Sequence, residues 1–173
     1  MKNYLKNQIA VSLTAIALTI AAAGQTAVQA QDKGDQSASL DQSANRIVGA
    51  WETTVTPVNC NTGEQVAPAF EGVITLNEGG TVAEFGANPA TPYRTPGHGI
   101  WSSIGGRGGY NLKFSFLPLT PAGVPVGRMR VTQIMELPRF SDISTSYGSF
   151  VLTNFAGTVL ATGCSTAVGV RVS

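Results

Sequence analysis

Past Asn45 the apolar side chains recur at every second position, the period of a strand with one buried face, and not at the three-to-four spacing of a helix. Phe70, Gly72, Ile74 and Leu76 fall on one side, with Glu71, Val73 and Thr75 on the other. Tyr110, Leu112, Phe114 and Phe116 share a side. Met129, Val131, Gln133, Met135 and Leu137 alternate with Arg128, Arg130, Thr132, Ile134 and Glu136. Further strands are predicted over 47–58, 81–85, 99–104, 146–154, 158–162 and 166–172. Asn77-Glu78-Gly79-Gly80 reads as a hairpin turn, because glycine supplies the positive φ such turns need. Gly105–Gly109 reads as another turn, and Leu117–Val126, with Pro118, Pro121 and Pro125, as a loop. Gly and Pro recur too often for a helix. Eight or nine short strands in sequence predict an all-β domain. The simplest arrangement is a closed up-and-down antiparallel barrel of about eight strands, since closure leaves no unpaired edge. A β-sandwich is the alternative.

The two ends of the patterned region carry a second signal. In an antiparallel pairing of fixed register, paired residue numbers have a nearly constant sum. The sums for Trp51 with Arg171 and for Cys60 with Cys164 agree to within two. One pairing of the first strand with the last therefore brings Trp51 against Arg171 at one end and the two cysteines together at the other. A sheet whose first and last strands pair is a barrel. A Cys60–Cys164 disulfide is expected on this register, and both cysteines sit in turn-like contexts; two separate buried thiols are the alternative.

The N-terminal segment reads as an address. Lys2 and Lys6 precede an apolar run from Ile9 to Ala23, and Val28-Gln29-Ala30 offers small residues for a signal-peptidase site. Residues 1–30 are thus expected to be a signal peptide, 31–45 a disordered polar leader, and 46–173 one β-barrel domain. The eleven Lys and Arg, less Lys2 and Lys6, leave nine against ten acidic residues in the mature chain, a net charge near −1. That balance predicts no nucleic-acid partner and gives no strong membrane-surface signal. It leaves oligomeric state open. Export to the periplasm or beyond is the expected localisation.

Gly49, Trp51 and Arg171 resemble the signature of the calycin superfamily, which includes lipocalins, fatty-acid-binding proteins and avidins: Gly-x-Trp on the first strand, with an Arg from the last strand packed across the Trp. The resemblance implies that the guanidinium lies over the indole and that its fork reaches backbone carbonyls at the closed end of a barrel. The chain departs from the lipocalin pattern in having no helix signal after the last strand. Avidin-like biotin contacts do not map, because Trp51 and Trp101 are the only tryptophans. Pro96–Trp101, together with the Gly163–Gly169 segment, is also similar to a group of small exported bacterial proteins without an assigned role.

Candidate chemistry is sparse. His98 is the only histidine, and no spacing identifies a nucleophile or an orienting carboxylate for it, so it reads as a loop residue that bonds backbone. One His and two paired Cys do not make a zinc site, and no metal or cofactor is expected. The glycine-rich 105–109 turn lacks the helix and Lys-Ser/Thr of a phosphate cradle. Arg128, Arg130 and Glu136 read as a solvated outer face, with an anion site as the second reading. The expected ligand-binding wall is Trp101, Tyr110, Leu112, Phe114, Met129, Val131 and Met135, open at the end carrying the 87–97 and 117–126 loops. Small residues in the last strands leave room on one side, and Met and Phe adapt to apolar guests.

Three functional readings follow. The first is a non-enzymatic exported barrel holding a small apolar molecule. The second is a cyclase or isomerase of the allene oxide cyclase type, which uses a calycin-like cup to fold a flexible substrate. The third is an envelope protein with a solid core. Polar residues inside the barrel separate them, with Gln133, Tyr110 and Tyr147 as the positions to inspect. An outer-membrane barrel is a further reading, opposed by short strands and by the absence of an aromatic girdle.

Overall fold

The structure, a computed structural model, describes residues 46–105 and 108–173. The signal-peptide and leader expectations for residues 1–45, and the centre of the glycine-rich turn at Gly106 and Arg107, lie outside the described residues. Eight strands follow in order: β1 (Gly49–Val58), β2 (Phe70–Leu76), β3 (Thr81–Gly86), β4 (Gly97–Ile104), β5 (Gly109–Phe116), β6 (Arg128–Glu136), β7 (Ile143–Thr153) and β8 (Val159–Arg171). Each pairs antiparallel with its neighbour in sequence, and β1 pairs with β8 to close the barrel.

The closing seam has the register that the end residues predict. Trp51 pairs with Arg171, and Val58 pairs with Cys164. Cys60, two residues beyond the end of β1, is bonded to Cys164 across a Cα–Cα distance of 5.2 Å.

Two expectations need correction. The segments 158–162 and 166–172 are not two strands but the single thirteen-residue β8. Gly163 suggested a turn between them, yet its role is packing. A Cβ there would lie 2.6 Å from the Phe150 ring, so a glycine inside the strand lets the ring lie flat on the backbone. Strand β7 also begins three residues earlier than the pattern suggested, at Ile143.

The alternation resolves into an apolar inner face. Ile74, Leu76, Tyr110, Leu112, Phe114, Phe116, Met129 and Met135 are buried, while Glu52, Glu71, Lys113, Arg128, Arg130 and Glu136 are exposed on the outside. Val73, Phe85, Ile100, Ile134, Val168 and Val170 are exposed on the same outer side.

One end of the barrel is a packed floor. The turns 77–80 and 137–142 lie there, with Gly105, Gly108 and both ends of the described chain. Trp51, Ile47, Leu76, Leu137 and Tyr110 are fully buried in it. Trp51 Nε1 donates to the Ile47 carbonyl at 3.0 Å, and Trp101 Nε1 to the Asn77 carbonyl at 2.9 Å. Trp101 and Tyr110 meet edge to face with centroids 5.9 Å apart.

Arg171 ties the floor together. Its guanidinium carbon stands 4.3 Å from the Trp51 ring centroid. Its Nη1 donates to the Val48 carbonyl at 2.8 Å, its Nη2 to the Arg46 carbonyl, and its Nε to Asp142 Oδ1 at 3.0 Å. The glycine of Gly-x-Trp follows from this contact. Gly49 holds φ at 138°, and a Cβ there would come within 2.8 Å of Arg171 Nη1. Replacing Arg171 with Ala is expected to cost about 2 kcal/mol or more, from the cation–π contact together with orphaned carbonyls. Thermal melts of Arg171→Ala, Trp51→Phe and the double variant should show coupling of about 0.5–2 kcal/mol. Additive losses would mean that the two side chains act independently.

Candidate ligand site in the barrel mouth

The opposite end carries the longer connections: 59–69, 87–96, 117–127 and the β7–β8 turn at 154–158. Two of them are strapped together. Thr95 N donates to the Leu117 carbonyl at 3.0 Å, Leu117 N to Thr95 Oγ1 at 3.0 Å, and Leu119 N to the Tyr93 carbonyl at 2.8 Å. Arg94 and Pro118 form a further bridge. The 87–96 loop therefore lies along the start of the next long loop and turns back towards the mouth.

Beneath these loops is a compartment of about 100 Å³. Its apolar wall is Phe70 from β2, Phe114 and Phe116 from β5, Met129 and Val131 from β6, and Phe150 from β7. Val55 and Pro57 close the β1 side. A deeper compartment of about 40 Å³ lies towards the floor, bordered by Leu112, Met135, Thr53, Ser144 and Ser146. That volume admits water but not the body of a ligand. Val55, Glu84, Phe114 and Gln133 border both compartments.

An ion pair sits on this wall, which Asn88, Thr91, Gln133 and Ser165 also line. Glu84 on β3 points inward, in phase with buried Val82 and Gly86. Arg94 reaches in from the loop. Its Nη1 donates to Glu84 Oε1 at 3.3 Å, its Nη2 is paired with Glu84 Oε2, and its Nε donates to the Thr95 carbonyl at 3.2 Å. The two side chains are only 4% and 14% exposed, Arg94 being the more buried. The guanidinium also lies over the Phe116 ring, 3.4 Å from its centroid.

The surrounding backbone leaves room for the pair. Gly97 is the cross-strand partner of Glu84, and a Cβ there would lie 2.5 Å from Glu84 Oε2. A Cβ on Gly86 would lie 3.1 Å from Glu84 Oε1 and 3.2 Å from the Phe70 ring. Two glycines thus flank a carboxylate that a larger residue would displace.

The sequence-predicted wall residues divide by depth. Phe114, Met129 and Val131 line the mouth compartment. Leu112 and Met135 border the deeper one. Trp101 and Tyr110 lie in the floor, packed on each other, and line neither compartment.

Of the polar positions singled out for inspection, Gln133 is buried between the two compartments. Tyr147 is not inside: it is 49% exposed, and its hydroxyl donates to Cys164 Sγ at 3.5 Å. His98 is not a loop residue. It lies on β4, faces outward and pairs across the sheet with Ala83 and Ser115.

Arg128 and Arg130 are exposed and, among the described residues, form no ion pair; Arg130 donates to Thr153 Oγ1 at 3.4 Å. No group of His, Cys, Asp and Glu side chains among the described residues is placed to hold a metal.

Sequence reasoning missed Glu84, Arg94 and Thr91. The signal for Glu84 was present: it shares the inward phase of Val82, and a glycine stands opposite. Arg94 and Thr91 belong to a loop whose path no local pattern encodes. No protein-family model, no curated protein and no solved structure matches this chain.

Proposed function

We propose that the chain is an exported, calycin-like barrel that holds a small, mainly apolar molecule in its mouth. The observation that carries the reading is the roughly 100 Å³ compartment walled by four phenylalanines, Met129 and Val131 beneath the strapped loops. Sites for small ligands are typically concave and apolar, with few polar groups to orient the guest. The volume is below the ~150 Å³ of an apolar cavity known to take benzene, so the enclosed part of the guest has about five heavy atoms, and a longer tail extends through the mouth. Export rests on the leader pattern and on the disulfide, a bond that persists in oxidising compartments. A cyclase or isomerase is the second reading, favoured by one feature: the Glu84 carboxylate borders both compartments.

The test uses a small hydrocarbon and a variant that fills the space. Cyclopentane titrated into the labelled protein should give saturable amide shifts at Thr91, Phe114, Val131 and Phe150. Val131→Phe should remove them while leaving the far-ultraviolet dichroism unchanged. Phe114→Glu is a poorer choice, because Phe114 is only 8% exposed and a buried charge there tests folding, not binding. Tryptophan quenching is also a poor readout, since both indoles are tied into the floor. Shifts that are absent, or scattered over the surface without saturation, would sink the proposal.

A further inference from the structure

The mouth compartment holds one polar atom that the protein itself leaves unsatisfied. Thr91 Oγ1 is buried and has no hydrogen-bond partner, although Thr91 lines the compartment. A buried hydroxyl without a partner costs free energy, so most find one. Arg94 lines the same compartment. Of its five N–H groups, three are engaged, by Thr95 and the two Glu84 oxygens. The guanidinium plane is held against Phe116, which fixes the direction of the remaining donors. One hydroxyl and one anchored guanidinium thus stand at the edge of an apolar chamber, both able to donate.

From this we infer the class of the guest, building on the apolar-ligand reading above: a small hydrocarbon body bearing a neutral hydrogen-bond acceptor, a carbonyl foremost, held by Thr91 and Arg94. Charge decides against the obvious alternative, a fatty-acid carboxylate. The Arg94–Glu84 pair is formally neutral, so a second carboxylate gains little from Arg94 and meets the charge of Glu84 in a poorly hydrated space. An ammonium meets Arg94 in the same way. A ketone, ester or amide oxygen carries no net charge and accepts from both donors while its alkyl part lies on Phe70, Phe114 and Phe150. Glu84 then has two jobs. It neutralises Arg94 when no guest is present, and it excludes anions.

The experiment compares pentane, pentan-2-one and butanoate by amide-shift titration of the full chain and of Thr91→Val, a near-isosteric change in the loop. The expected result is that pentan-2-one binds at least tenfold tighter than butanoate. Thr91→Val should weaken pentan-2-one by roughly three- to tenfold, the range of one lost hydrogen bond, and leave pentane unweakened. Butanoate binding as well as the ketone would overturn the inference. So would a Thr91→Val variant that keeps full ketone affinity, or one that loses ketone and pentane equally. In those cases pentane binding still stands, and the apolar-ligand reading survives. If neither pentane nor pentan-2-one binds, both readings fall together.

Discussion

Replacing Cys60 and Cys164 with Ser lowers the melting temperature by roughly 12–25 °C. The bond joins residues 104 apart, so in the unfolded chain it closes most of the domain into a loop. On the chain-entropy account a loop of that length stabilises the native state by about 4–5 kcal/mol, and a domain of this size loses roughly 3–5 °C per kcal/mol. The location matters as much as the length. The disulfide lies on the β1–β8 seam, the pairing that turns a sheet into a barrel, at the end opposite the Arg171–Trp51 clamp. Without it the seam is held by ladder hydrogen bonds and by the floor alone. Hydrogen exchange should therefore rise first at the mouth end of β1 and β8 and last near Trp51. The check is calorimetry of the oxidised protein, the reduced protein and the double variant, with alkylation and intact mass to confirm the redox state. A fall of less than about 3 °C would mean that the seam does not depend on the bond.

Face and depth are different variables, and only the first is written locally in a chain. The alternation in Phe70–Leu76, Tyr110–Phe116 and Met129–Leu137 identifies the inner face because successive side chains of a strand point to opposite sides. The same parity puts Tyr110 and Phe116 on one side without saying that one is in the floor and the other at the mouth. That distinction comes from which turns lie at which end, and so from the whole topology. It is why a wall chosen by parity mixed Trp101 and Tyr110 with Phe114, Met129 and Val131.

Closure was legible because it leaves a long-range numerical trace, the common register of Trp51 with Arg171 and of the cysteines. Gly163 misled because glycine serves both turns and close packing, and only the position of Phe150 tells them apart. Arg94 was illegible for a further reason. A loop arginine is ordinarily solvated, and this one is inside only because the loop is bonded back onto Leu117 and Leu119.

Removing either member of the Glu84–Arg94 pair alone should destabilise the barrel by about 3–5 kcal/mol, whereas replacing both should cost far less. Arg94→Met leaves the Glu84 carboxylate in a wall of Phe70, Phe114 and Phe116, without the donors that now hold both of its oxygens. Glu84→Gln leaves a guanidinium that is 4% exposed without its counter-charge. The combination Glu84→Met with Arg94→Met substitutes flexible apolar chains of similar reach, which adapt to irregular space. A buried pair replaced in this way is often neutral or even favourable, because the desolvation of two charges is no longer opposed to folding. The expected pattern is two strongly destabilised single variants and a double variant within about 1 kcal/mol of the parent, measured by urea unfolding. A double variant that is as stable as the parent but has lost its preference for a ketone over an alkane would place the pair in recognition and not in folding. If the double variant is instead as unstable as the singles, the pair is a structural strut for the 87–96 loop, and the loop's own bonds to Leu117 and Leu119 do not suffice to hold it.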